Sequence, residues 1–198
     1  MISQKILDLG IQAKKASMEF SCISGDIKNL ALEKLKKNLK NYNKKLININ
    51  NQDIEKAKLS NLSSAMIDRL TLNNERIDSM IESIEDIIKL DDPVGKVITQ
   101  WKRPNGLNIK KISIPLGVIG IIYESRPNVT IDASAIAIKS GNAVILKGGK
   151  DSFHSSNKLF DIIKHSFEEV GLPKNIVQMI KSTNRSIVEE LLKLDKYI

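Results

Sequence analysis

Lys147-Gly148-Gly149-Lys150 places two cations around a glycine pair, where the apolar run Ala143-Val144-Ile145-Leu146 gives way to a helical pattern. Ammonium groups, free backbone N–H groups and the positive end of a helix would converge there, a combination that suits an anion. A plain strand-to-helix turn with solvated lysines is the simpler reading of a glycine pair taken alone. The segment is neither a Walker loop nor a GxGxxG fingerprint, because Gly117 and Gly120 lie inside an apolar run with no helix opening behind them.

Ser125, Arg126 and Asn128 form a second group: a hydroxyl, a guanidinium fork and an amide beside Pro127. Arginine pairs with carboxylate or phosphate through two parallel hydrogen bonds, and an asparagine amide donates to a developing oxyanion. The same spacing equally allows Asn128 to cap the next helix while Arg126 pairs with Glu124 or Asp132. The single cysteine, Cys22, excludes an internal disulfide, and with His154 and His165 far away it offers no metal-ligand spacing. Packing on an amphipathic helix is its expected role, and no metal is expected.

These residues need elements to hold them. Apolar residues recur at helical spacing over residues 2–42, with Ser24-Gly25 as a break, which predicts two helices. Asn50 to Asp53 should cap a short helix ending at Leu59, Ser63-Ser64 should open another ending at Leu70, and residues 71–90 should form a further helix stopped by Asp92-Pro93. After Gly95 the texture changes. Residues 97–101 and 107–114 flank Asn105-Gly106 and predict a protruding or edge hairpin. Residues 117–123 suit a strand buried on both faces. Helix (129–139), strand (143–147), helix (155–170), strand (176–180) and helix (185–194) then alternate, which predicts an α/β fold with a parallel sheet. Ser140-Gly141-Asn142 and Gly171-Leu172-Pro173 supply left-handed stops after the crossover helices, and Ser182-Thr183-Asn184 can cap the last. Ligands of such sheets bind beyond the carboxyl ends of the strands, here residues 124–128, 148–152 and 181–184.

Composition narrows the classes. A chain of 198 residues with 41 % hydrophobic content buries a substantial core. Its net charge of +8 comes mostly from scattered lysine pairs, and aromatics make up only 4 %, so base-stacking platforms are scarce and no nucleic-acid partner is expected. No apolar run approaches the roughly 20 residues that span a bilayer, and the N-terminus does not read as a signal peptide. A cytoplasmic protein without membrane association is the default.

The segments SSAMIDRLTLNNERI, DDPVGKV, WKRPNGL and IPLGVIGIIYESRPNVTIDASAIAIKSGNAVILKGGK resemble the glutamate-5-semialdehyde dehydrogenase family, the gamma-glutamyl phosphate reductases. This is the proline-biosynthesis branch of the aldehyde dehydrogenase superfamily. The similarity runs along all of this chain and about the first half of the family's usual chain. It implies a Rossmann-like parallel sheet with N-terminal helices and a β-hairpin, incomplete at the C-terminus: a helical layer over 1–95, a hairpin that serves as an oligomerisation arm over 96–115, and the first part of an NADP-binding domain over 116–198.

The activity implied is NADPH-dependent reduction of gamma-glutamyl phosphate to glutamate 5-semialdehyde and phosphate, through a thioester on a cysteine belonging to a later domain. Cys22 matches no nucleophile of the family. Lys147 matches the strand-end lysine that reaches the adenosine ribose or its 2′-phosphate, and Lys150 stands where NAD-using relatives carry Glu. With Gly148 and Gly149 these make the cofactor site that the resemblance implies. Asn128 is the implied oxyanion donor, with Ser125 and Arg126 on the substrate side. A homo-oligomer is expected, with a glutamate kinase as the source of substrate. The alternative reading is a truncated, non-catalytic remnant that retains nucleotide binding. A sheet cut short should leave apolar surface bare and self-associate.

Overall fold

The helical spacing at the start of the chain becomes α1 (Gln4–Phe20) and α2 (Gly25–Leu59), divided where Ser24 takes extended backbone and its side chain accepts from the Ile27 amide. The computed structural model describes residues 2–198. α2 runs unbroken for 35 residues, which corrects the expectation of a separate helix capped by Asn50 to Asp53. Residues three apart share a helix face. Asn50 and Asp53 accordingly turn inward together, 0 % and 2 % exposed, and bond to other elements instead of their own backbone. Cys22 also departs from expectation: it sits exposed in the turn after α1, not packed on it.

Ser63 and Asn73 cap α3 (Ser64–Leu70) and α4 (Asn74–Lys89), each accepting a backbone N–H in the first turn. α4 begins three residues later than its apolar pattern suggested and buries Ile77, Met80, Ile84 and Ile87. The hairpin β1 (Val97–Lys102) and β2 (Asn108–Ile112) pairs antiparallel, with Trp101 opposite Ile109 and Lys102 opposite Asn108. Nearly every residue of it is exposed, so it stands off the body of the protein.

The remaining elements alternate as β3 (Val118–Ile122), α5 (Pro127–Lys139), β4 (Ala143–Lys147), α6 (Phe153–Glu168), β5 (Val177–Met179) and α7 (Ser186–Leu191). The strands form a parallel sheet in the order β3-β4-β5. Successive crossovers of one hand put α5 and α6 on the same face. α1 touches all three strands and takes the other face, while α2 and α4 lie behind α5 and α6. The N-terminal helices are thus divided between the two sides of the sheet. One hydrophobic cluster links Ile6 of α1 through β4 to Leu39 and Ile84.

β4, at the centre, is buried throughout, as a continuous apolar strand should be. β3 is not, and this corrects the expectation of burial on both faces: it is an edge strand, and Ile122 is 45 % exposed. Part of its surface is nonetheless covered, since Leu191 and Ile198 lie over Gly120. Among the described residues no helix is long and apolar enough to cross a membrane.

The left-handed stop after α5 is real, with Gly141 at φ 77°. A Cβ there would also come within 2.8 Å of Val94 Cγ2 and 2.9 Å of Pro115 Cγ. Gly171, at φ 80°, has nothing within 4 Å. Gly141→Ala is therefore expected to cost about 3 kcal/mol, backbone strain plus a clash, and Gly171→Ala only the strain, about 1 kcal/mol. Urea unfolding midpoints of the two variants check this; equal losses would show that the Val94 and Pro115 contacts yield freely.

Candidate functional site

The carboxyl ends of β3 and β4 open side by side, tied by the Tyr123 N–H bond to the Lys147 carbonyl (3.0 Å). The loop from β3 crosses directly over the glycine pair. A Cβ on Gly149 would stand 3.1 Å from the Glu124 carbonyl carbon and 3.2 Å from Ser125 N, and one on Gly148 would stand 3.3 Å from the Tyr123 ring. Glycine is needed here for close approach of backbone to backbone, not for unusual dihedrals. Ser125 Oγ then donates to Asp151 Oδ2 (2.8 Å), closing the two loops on each other.

Around this junction lies a cleft of about 530 Å3, within the range of small-molecule sites. Met66, Ile122, Tyr123 and Val188 give it apolar wall, and Lys147, Lys150 and Arg185 line it together with Glu124, Asp151 and Glu189. The two lysines differ in kind. Lys147 is 5 % exposed, its ammonium donates to the Gly148 carbonyl (2.7 Å), and burial lowers its pKa. Lys150 is exposed and extends from the loop. A partly desolvated cation at the floor of a cleft gains more from an anionic ligand than a solvated one.

The expected contribution of a free helix end is absent. Both carboxylate oxygens of Asp53, reaching across from α2, take up the first turn of α6: Oδ1 accepts from His154 N (3.2 Å), and Oδ2 from Ser155 N (2.7 Å) and Ser155 Oγ (2.6 Å). These two amides are already satisfied by this carboxylate and are not offered to an anion at the loop.

Ser125, Arg126 and Asn128 do not act on one space. Ser125 lines the cleft with Lys147 and Lys150, whereas Arg126 and Asn128 line a second cleft, of about 290 Å3, against α3 and α4. Arg126 is the N-cap of α5 and Pro127 its first residue, so the chain turns between Ser125 and Arg126 and sends them to opposite sides. The structural alternative offered by the sequence, a cap at Asn128 with an ion pair at Arg126, does not hold in either part. Asn128 does not cap but donates to Asp132 Oδ2 (3.1 Å), and Arg126 has no ion-pair partner among the described residues.

The second cleft contains groups that the sequence did not single out. Arg69 lines it with no ion-pair partner among the described residues, while Arg76 bonds to Asp68 Oδ1 (2.8 Å) and the Thr71 carbonyl (2.9 Å) and so braces the α3–α4 joint. Burial raises the pKa of Asp132, against the opposing hydrogen bond from Asn128. Two free guanidiniums, a primary amide and a half-buried carboxyl suit a small ligand bearing both charges. DRL-x5-R places the arginines on successive helices, a signal visible in sequence only once the joint between α3 and α4 is known. Among the described residues no cluster of His, Cys, Asp and Glu could hold a metal ion.

Comparison with known proteins agrees with this architecture. A family model described as the aldehyde dehydrogenase family matches residues 9–197. A gamma-glutamyl phosphate reductase of Clostridium tetani is 43 % identical over 197 residues, all of this chain and 46 % of the relative. One of Bartonella tribocorum is 48 % identical over 93 % of this chain and 45 % of its own. The crystal structure of a gamma-glutamyl phosphate reductase from Thermotoga maritima superposes with a TM-score of 0.95 at 38 % identity, covering 98 % of this chain and 47 % of that one. The chain spans about half the length of the curated relatives it matches.

Proposed function

The chain belongs to the aldehyde dehydrogenase family, and from that premise we propose that it supplies the NADP-binding part of an enzyme reducing gamma-glutamyl phosphate to glutamate 5-semialdehyde and phosphate, in cytoplasmic proline synthesis. The observation that carries the reading is the pair of clefts on either side of one loop, one part apolar with Lys147 buried against the glycine pair, the other rich in guanidinium beside Asn128. The family implies a nicotinamide cofactor, which when bound supplies a hydride.

The residues present fit that group. Apolar wall for a base stands beside ammonium groups for phosphate or ribose, at the strand ends where dinucleotides bind. In the proposal Lys147, Gly148, Gly149 and Lys150 hold the nucleotide, and the Lys150 cation favours NADP. Arg126 pairs with the carboxylate of the glutamyl group, and Ser125 positions the loop between the two sites. Asn128 has two amide hydrogens, of which Asp132 takes one. The other is available to the acyl oxygen as negative charge develops there.

In the proposal the helices within residues 1–95 flank the sheet on both sides in place of a single layer, residues 96–115 serve as an arm between subunits of a homo-oligomer, residues 116–198 as the first part of the nucleotide domain, and a glutamate kinase supplies the acyl phosphate. The exposed Trp101 of the hairpin is consistent with the arm.

Cys22 lines neither cleft, so the chain's own part is binding and orientation. That observation favours a second reading, nucleotide binding without reaction. A chimera tests both, with this chain replacing the matching half of the Thermotoga maritima relative. The expected result is phosphate-dependent reduction of NADP by glutamate 5-semialdehyde, yielding the acyl phosphate, NADPH and a proton. A folded chimera that binds NADPH without turnover would favour the second reading, and one that binds no nucleotide would end both.

A further inference from the structure

The cleft of about 290 Å3 carries opposite charges that line one space without meeting. Arg69 lies in the last turn of α3 and Arg126 caps α5, and neither has a carboxylate in ion-pair range among the described residues. Asp132, one turn along α5 from Asn128, has no cation in that range either. Its Oδ2 accepts from Asn128, and its Oδ1 accepts from no group among the described residues. The other charges of the lining are spoken for, since Asp68 pairs with Arg76 (2.8 Å).

Both walls are held from behind. Asn50 of α2 is buried; it donates to the Leu70 carbonyl (2.9 Å) and accepts from Leu72 N (2.7 Å), so the chain just after Arg69 is fixed on either side of Thr71. On the other wall Pro127 sets the first turn of α5, and the spacing of Asn128 and Asp132 puts them on one face. A space that separates two guanidiniums from a carboxylate fits a ligand with the reverse arrangement of charge. Burial disfavours the charged form of Asp132, and a ligand cation at Oδ1 relieves that. An acyl chain that brought a carboxylate alone would leave Asp132 unanswered and set a second negative charge beside it.

We propose that this cleft reads the α-amino acid head of the glutamyl group, Arg69 and Arg126 holding its carboxylate and Asp132 its ammonium, and so rejects acyl chains that lack the amino group. The inference rests on the substrate reading of the cleft and adds to it the two residues, Arg69 and Asp132, that decide which acyl chain is taken. A guanidinium fork matches a carboxylate through parallel hydrogen bonds, and a second one on the facing helix fixes the direction from which the head enters. The rejection is stronger than the loss of one contact, because a site built to pair with a polar group is left unpaired by an analogue without it.

Calorimetric titration with L-glutamate and with glutarate, which differ by the amino group alone, tests the assignment without any turnover. The wild-type protein is expected to bind L-glutamate about tenfold more tightly than glutarate, the worth of one charge-assisted hydrogen bond. Asp132→Asn should abolish that preference, weakening L-glutamate about tenfold and leaving glutarate no weaker. Arg69→Gln should weaken both ligands about tenfold. Asparagine keeps the shape of Asp132, and Arg69 is exposed on a helix that glutamine favours, so both variants should fold, and a melting curve of each checks it. Equal wild-type affinity for the two ligands, or an Asp132→Asn variant that keeps the preference, would overturn the ammonium site and leave the cleft a carboxylate site. Unaltered binding of both ligands by Arg69→Gln would overturn the part given to Arg69. A wild-type protein that binds neither ligand would overturn the substrate reading as well, and a parallel titration with NADPH shows whether the nucleotide reading survives it.

Discussion

Asp53→Ala is expected to destabilise the protein by about 3 kcal/mol and to lower its melting temperature by about 6–12 °C. One carboxylate, 2 % exposed, answers two backbone N–H groups of α6 and the Ser155 hydroxyl. Removing an ordinary helix cap costs about 1 kcal/mol. Here the acceptor is charged and Ser155 is buried, so the orphaned donors lose more than a solvated helix end would. Asn50, one turn earlier on α2, strengthens the same seam by donating to Ser155 Oγ (2.9 Å) and the Leu70 carbonyl (2.9 Å) and accepting from Leu72 N (2.7 Å). Asp53→Asn keeps one acceptor and should lose about half as much. Thermal melts of both variants are the measurement. A loss below about 1 kcal/mol for Asp53→Ala would mean that water reaches the first turn of α6 and replaces the carboxylate.

Those two residues also show where sequence reading stops. Asn50 and Asp53 carry the composition of a helix start, and local spacing assigned them to their own backbone. Their real partners lie about twenty and a hundred residues away, a pairing that only the packing of α2 on α6 creates. Elements with a strong internal period were legible: α4 from its apolar face, the hairpin from Asn105-Gly106, the stop at Gly141, and the parallel order of β3, β4 and β5 from alternation. Burial was less so. The apolar composition of β3 matches that of β4, but one is an edge and the other the centre, and position in a sheet is not written in a strand's own residues. The site divided for a similar reason. Ser125 and Arg126 are neighbours in sequence, yet Arg126 is the N-cap of α5 while Ser125 belongs to the loop before it, and one lines each cleft.

Asp92→Asn should be the more damaging half of an asymmetric pair, costing about 3–5 kcal/mol against about 2 kcal/mol for Lys28→Met. Lys28 Nζ lies 2.6 Å from Asp92 Oδ2 and 2.7 Å from Oδ1, with the lysine side chain 1 % exposed and the aspartate 29 %. Without Asp92 the ammonium is stranded out of reach of water. Without Lys28 the carboxylate is half hydrated and still accepts from Val94 N (2.9 Å). The double variant should recover much of the loss, because neither charge is then left alone. Burial works against the charge on Asp92, yet the hydrogen bonds from Lys28 and Val94 N, together with the Lys28 charge, outweigh it and hold the carboxyl below its ordinary 3.8. A depressed folded-state pKa gives stability that is complete above the unfolded value and is lost as pH falls through the folded one. The wild-type protein should therefore weaken on acidification below about pH 4, and Asp92→Asn should show a flatter acid limb. The same joint holds Lys139 of α5, whose ammonium donates to Asn29 Oδ1 (2.8 Å) and the Ile88 carbonyl (2.9 Å). It thus fixes the end of α5 remote from Asn128 against α2 and α4, and the walls of the guanidinium cleft are set from below. Urea titrations across pH 3–7 decide it: equal costs for the two single variants would show that water already reaches Lys28, and an unchanged acid limb in Asp92→Asn would assign the acid sensitivity to other carboxyls.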